Sequence, residues 1–226
     1  VVRGYEAFGY TGSKDPRGAD IAREHFALLL RAIEGEGLAE RDPVSPFGGG
    51  TGLQRIEPHS PGLRSRIWWG AGNSESAAWA GGIGVNLMSS TLLTEASGQP
   101  FDELQAQQIE TFRSAWREAG HPGEPRVSVS RSIFPITTAE DQLYFGGRQD
   151  GDQIGVIDGM RSTFGKTYAA EPDVLIEQLQ EDAAIRSADT LMLTIPSQLG
   201  VEFNLRVVES FAKYVAPALG WVGTRV

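Results

Sequence analysis

Three observations in this sequence predict an α/β fold built on a parallel sheet. Short apolar runs suited to strands alternate with longer stretches of helical periodicity. Gly, Pro, Asn and Ser cluster at the joints between them. No segment repeats at a fixed short period, which sets aside solenoids and propellers. Strands separated by helices need crossover connections, which are right-handed and make the sheet parallel.

In chain order, Val1-Val2 reads as the stump of a strand. Asp20 to Ile33 follows as a helix capped by Asp20, with Ile21, Phe26, Leu29, Leu30 and Ile33 on one face. Glu34 to Arg66 is rich in Gly and Pro and predicts irregular chain, most flexible at Phe47-Gly48-Gly49-Gly50. Ile67-Trp68-Trp69 is a strand, and an alanine-rich helix follows it, stopped at Gly84. Val85 to Ser89 is the next strand. Phe101 to Ala119 is an amphipathic helix carrying Leu104, Ile109, Phe112 and Trp116, ended by Gly120. Arg126 to Ile136 is a strand, and Asp173 to Ile185, Thr190 to Ile195 and Val201 to Val215 read as helix, strand and helix. Four βα units and a stump amount to half of an eight-stranded barrel, which takes about 250 residues when complete. A strand cut at its second residue, with no methionine before it, predicts that Val1 is not the natural start and that the N-terminal strands are missing.

Composition narrows the function. The 226 residues are 40% hydrophobic, enough for one sizeable core. A formal charge of −9 argues against nucleic-acid or anionic-membrane surfaces, because both need dense Lys and Arg. The absence of cysteine excludes disulfides, thiolate catalysis and cysteine-held metals. No apolar run approaches the roughly 20 residues of a membrane span, and no leader is visible, so a cytoplasmic protein is expected. His25, His59 and His121 never stand at ligand spacing, so no metal site is expected.

The segment from Arg66 to Ser90 is the most informative. A strand stops at Gly70-Ala71-Gly72, and Asn73-Ser74-Glu75-Ser76 opens a helix. The first turn of a helix leaves backbone N–H groups unpaired and carries partial positive charge, which suits a phosphate. Asn73 or Ser74 acting only as a helix cap explains the same residues. Trp68 and Trp69 are adjacent on a strand and point to opposite faces, one inward and one under helices. Ser89, Ser90 and Thr91 stand at a strand end, where contact with a ligand and helix capping are both open. Ser74 and Ser76 lack a paired base and read as hydrogen-bond donors.

At four places the chain resembles the bacterial luciferase-like, flavin-dependent monooxygenases, a (β/α)8-barrel family. They are Val2-Arg3-Gly4 with Phe8-Gly9, Ala22-Arg23-Glu24-His25-Phe26, the block from Trp69 to Ser90, and Thr194 to Gly200 with the helix running to Gly220. The resemblance implies a luciferase-like TIM barrel from the end of strand four to helix eight, lacking its N-terminal strands. It implies one domain over residues 1–226, with a mobile insertion at 139–166. Gly146, Gly147, Gly151, Gly155, Gly159 and Gly165 give that insertion freedom to close as a lid.

The resemblance also implies reduced FMN as co-substrate with dioxygen, a small organic substrate, a flavin reductase as supplier and a homodimer. Gly72, Asn73 and Ser76 would face the phosphate, with Ser74 and Glu75 adding backbone N–H groups and the Glu75 side chain turned outward. Arg23 resembles the arginine that pairs with the phosphate, and Arg3 one nearer the ring. The residue that moves the proton is not named by the sequence. A deazaflavin-dependent hydride transfer on the same fold, or a non-catalytic flavin-binding or partner subunit, are the alternatives.

Overall fold

The computed structural model describes residues 19–40, 52–95, 97–147, 151–157 and 159–222. The expected first strand and the Phe47–Gly50 segment lie outside them. The chain divides into two compact units, Val1–Arg66 and Ile67–Val226. In the first unit, helix α1 (Ala19–Ile33) begins one residue before the cap expected at Asp20. It buries Leu30 and Ala32. After it, Ala39 and Gln54 form an antiparallel bridge, and Arg64 pairs with Glu34.

The second unit carries the parallel sheet. Its elements are β1 (Trp68–Ala71), α2 (Ser74–Ile83), β2 (Asn86–Ser89), β3 (Leu92–Leu93), α3 (Phe101–Glu118), β4 (Val127–Pro135), α4 (Ala139–Phe145), β5 (Gln153–Ile157), β6 (Met160–Phe164), β7 (Thr167–Ala170), α5 (Pro172–Glu181), α6 (Ala183–Ser187), β8 (Thr190–Leu193) and α7 (Val201–Ser210). Strand β1 pairs β2, and β2 pairs the start of β4. Strand β4 also pairs β8 through residues 128–131 and β7 through residues 132–135. All of these pairs are parallel, so the expected parallel α/β sheet is present. The described strands form an open sheet rather than a closed barrel.

Register assigns the faces, because paired residues share one and neighbours alternate. Trp69, Ala71, Leu87, Ser89, Val127, Val129 and Arg131 share one face, which the helices cover. Trp69 packs on Trp79 of α2 at 4.6 Å between ring centroids, as expected for the tryptophan under helices. Gly70, Met88, Ser128, Ser130 and Met192 share the opposite face.

Two helices differ from expectation. The stretch read as one helix to Ile185 breaks at Asp182, whose carboxylate caps α6 by accepting the Ile185 N–H at 2.9 Å. Asp favours caps over helix interiors because its side chain competes for backbone donors. The last helix changes to a π-turn over Phe211–Val215. The stretch after β4, expected as a mobile insertion at 139–166, holds α4 and an antiparallel β5–β6 hairpin, whose β6 pairs β3.

Candidate functional site

The N-terminus of α2 is built by the turn that the sequence singles out. Asn73 is extended and its Oδ1 accepts the Ser76 N–H at 2.8 Å, so Asn73 is the helix cap. Ser74 donates its N–H to Glu95 Oε1 at 2.8 Å and its hydroxyl to Glu95 Oε2 at 3.2 Å. The first turn therefore already holds an anion, contributed by the chain itself. Gly72 lies beside it, its carbonyl accepting the Thr94 N–H at 2.8 Å and the Thr94 hydroxyl at 3.3 Å. Thr163 on β6 donates its hydroxyl to the Glu95 carbonyl at 3.0 Å, which anchors the strap behind the carboxylate. Glu75 is exposed.

A groove of about 380 Å³ adjoins this turn, lined by Gly70, Gly72, Met88, Thr91, Ser130 and Met192 among others. It lies at the carboxyl ends of β1, β2 and β8 and against the middle of β4, where open parallel sheets take ligands. Gly70 is exposed, and a Cβ placed on it would meet nothing within 4 Å, so any side chain there would project into open space. A smaller cleft of about 200 Å³ shares Thr91 and Ser130 with the groove and adds Ser132, Lys166 and Thr194. The Ser130 and Thr194 hydroxyls are 2.9 Å apart in one hydrogen bond. One step down the same strand face, the buried Ser128 hydroxyl has no partner among the described residues.

Under the groove, helix α3 clips the strand ends. Gln105 Nε2 donates to Ser89 Oγ at 2.9 Å and to the Ser90 carbonyl at 2.8 Å. Ser89 Oγ donates to Gln108 Oε1 at 2.5 Å, and Gln108 Nε2 reaches the Ala71 carbonyl at 3.4 Å. Both glutamines and Ser89 are fully buried. Ser89, Ser90 and Thr91 all line the groove, but the Ser89 hydroxyl is spent on the glutamines and Ser90 Oγ accepts the Leu92 N–H at 3.3 Å. The glutamines escaped the sequence reading because they stand on an otherwise solvent-like helix pattern. Their i, i+3 spacing beside Leu104 and Phe112 was the available signal.

A buried ion pair lies at the far side of the sheet. Arg131 forks onto Asp182, Nε to Oδ2 at 2.8 Å and a second N–H to Oδ1 at 3.0 Å, with side chains 2% and 0% exposed. Tyr168 donates its hydroxyl to Asp182 at 2.7 Å. Burial pushes the Asp182 carboxyl up, but the Arg131 hydrogen bond and charge, with Tyr168 and the Ile185 N–H, outweigh it and hold the group below the usual range. Burial, then the Asp182 charge, raise the Tyr168 phenol far above its ordinary value, so it stays protonated.

Of the residues singled out by sequence, the structure brings Gly72, Asn73, Ser74 and Ser76 together at one turn. Arg23 is half-buried on α1 of the first unit, and Arg3 lies outside the described residues. Among the described residues no cluster suited to a metal ion occurs, and no helix is long and apolar enough to cross a membrane.

No protein-family model matches the chain, and no curated protein sequence matches it. Solved structures do. The oxygenating constituent of a 3,6-diketocamphane monooxygenase from Pseudomonas putida, a type II Baeyer-Villiger monooxygenase in complex with FMN, overlays 96% of this chain with a TM-score of 0.60 and 16% identity, over 68% of its own length. The chain has that fold. A monooxygenase from Streptomyces bottropensis overlays 95% with a TM-score of 0.56 and 15% identity, over 65% of its length. An F420-dependent secondary alcohol dehydrogenase, bound to an F420-acetone adduct, overlays 92% with a TM-score of 0.54 and 16% identity, over 64% of its length. This chain thus spans about two-thirds of the solved chains it resembles.

Proposed function

We propose that the chain belongs to a flavin-dependent oxidoreductase of the luciferase-like class, taking reduced FMN as co-substrate. One observation carries this reading: a groove at the carboxyl ends of parallel strands runs into a helix N-terminus that holds an anion. The residues present fit the cofactor. The Glu95 carboxylate, accepting one N–H and one hydroxyl from Ser74, stands in for two oxygens of a terminal phosphate. Gly70 leaves open a cradle that a side chain would fill, where a flat ring can lie against the strand ends.

Bound reduced flavin supplies the electrons that reduce dioxygen and oxygenate the substrate. The chain's own contribution is orientation. The first turn of α2 holds the tail, and the Gln105–Gln108 clip fixes the carbonyls of Ala71 and Ser90 that frame the groove. The Ser130–Thr194 hydroxyl pair offers hydrogen bonds to a substrate or to the ring edge. A small organic substrate, a reductase supplying the flavin and a homodimer complete the reading. The overlay on an F420-dependent dehydrogenase favours a deazaflavin as the second reading, with hydride transfer and no dioxygen.

The test is titration of the protein with reduced and oxidised FMN and with F420, followed by absorbance and fluorescence. FMN is expected to bind, and Gly70→Val is expected to weaken it at least tenfold while leaving the thermal midpoint unchanged, because the added methyls enter empty space. Tight F420 binding with no FMN response would transfer the proposal to the deazaflavin reading. No response to either would end both.

A further inference from the structure

We propose that Glu95 is a built-in occupant of the α2 N-terminus and sets whether this site admits a phosphomonoester. The proposal rests on the flavin reading above and specifies what a phosphorylated flavin must displace to occupy the turn. The carboxylate reaches Ser74 from 21 residues away, with Oε1 on the N–H at 2.8 Å and Oε2 at the hydroxyl at 3.2 Å. Its backbone is pinned on both sides. Thr94 bonds the Gly72 carbonyl, Thr163 bonds the Glu95 carbonyl, and β3 immediately before it pairs β6 while Leu93 is fully buried. The strap therefore fixes where the carboxylate arrives, and only its side-chain torsions have freedom to withdraw it.

A phosphate dianion and this carboxylate compete for the same two donors. Side by side they would stand within a few ångströms with like charges, a repulsion worth far more than tenfold in affinity at the dielectric of a half-buried site. Glu75 on the same turn is exposed and its charge is better screened. A phosphorylated tail must displace the Glu95 side chain, whereas an uncharged ribityl tail need not. Glu95 thus acts as a specificity residue that penalises FMN relative to riboflavin.

Amide resonances of Ser74, Glu75 and Ser76 in the full 15N-labelled chain read the competition directly. Wild type, Glu95→Gln and Glu95→Ala are titrated with inorganic phosphate, FMN and riboflavin, after thermal melts confirm that each is folded. Glutamine keeps an oxygen for the Ser74 N–H and removes only the charge. In Glu95→Gln the Ser74 amide is expected to respond to inorganic phosphate at a concentration at least tenfold lower than in wild type, and the ratio of FMN to riboflavin affinity is expected to rise by a similar factor. Equal half-saturation in all three proteins, or no amide response to phosphate in any, would overturn the inference. If the phosphate difference appears but neither flavin perturbs the Met88 and Met192 methyls, the role of Glu95 stands and the flavin reading fails.

Discussion

Asp182 does three jobs at one carboxylate. It takes the Arg131 fork, accepts the Tyr168 hydroxyl and caps α6. Removing one partner of a buried pair leaves the other charge uncompensated, which costs about 3–5 kcal/mol. Asp182→Asn retains the cap oxygen but strands the Arg131 charge, so urea unfolding is expected to show a loss in that range. Tyr168→Phe removes one hydrogen bond to a charged acceptor and is expected to cost about 1.5–3 kcal/mol. Arg131 itself was legible only as a strand residue among serines, since its partner lies 51 positions away. Asp182 carried a local sign, a strong cap former inside a helical pattern. Glu95 carried none, because nothing in the sequence around it predicts that its carboxylate returns to Ser74.

Helices α2 and α3 cross with backbone nearly touching backbone at Gly81. A Cβ on Gly81 would lie 2.3 Å from the Phe112 carbonyl oxygen and 3.0 Å from the Trp116 nitrogen. Helix propensity alone says that Gly81→Ala should stabilise by up to about 1 kcal/mol. The crossing predicts the opposite sign, a loss of about 1–3 kcal/mol from overpacking, readable as a lower thermal midpoint. At this scale the sequence was informative wherever burial imposes a period. Strands β1, β2, β4 and β8 and helices α2 and α3 all stand within a few residues of their expected places. The β5–β6 hairpin was not legible, and its exposure says why. Ile154 and Val156, the same-face pair of β5, are 55% and 71% exposed, and on β6 the adjacent Ser162 and Thr163 are both buried, so neither strand imprints a buried–exposed alternation on the sequence.

Across the whole molecule, charge governs two responses. Asp182 and Asp141 both have folded-state carboxyls held below the ordinary range: burial raises each, and hydrogen bonds from Arg131 to the one and from Thr138 and Thr137 to the other outweigh it. A lowered folded value means that the stabilisation is present above the unfolded value of about 3.9 and is lost as pH falls through the folded one. The thermal midpoint is expected to change little between about pH 7 and pH 5 and to fall below about pH 4, less steeply in Asp182→Asn. The second response is kinetic. With a formal charge of −9, the protein repels an anionic ligand at long range. Raising ionic strength from about 0.01 to 0.15 M shortens the screening length from about 30 to 8 Å. FMN association measured by stopped flow is expected to quicken over that range, and riboflavin association to stay constant.

Strand β4 is shared by every other parallel strand of the sheet except β1, since β2, β7 and β8 all pair with it. That arrangement orders assembly in time. Among the described strands, β1 and β2 leave the ribosome before β4, and two strands alone are marginal in water. Residue 127 must appear before β2 gains β4 as a partner, and residues 190–193 before β4 is flanked by β8. The sheet therefore closes its contacts late and over long sequence separations, the pattern of a slow folder whose apolar strands stay exposed during synthesis. A chain arrested between β4 and β8 would present β4 with its 128–131 edge toward β8 unpaired, so nascent intermediates arrested there are where a chaperone would bind.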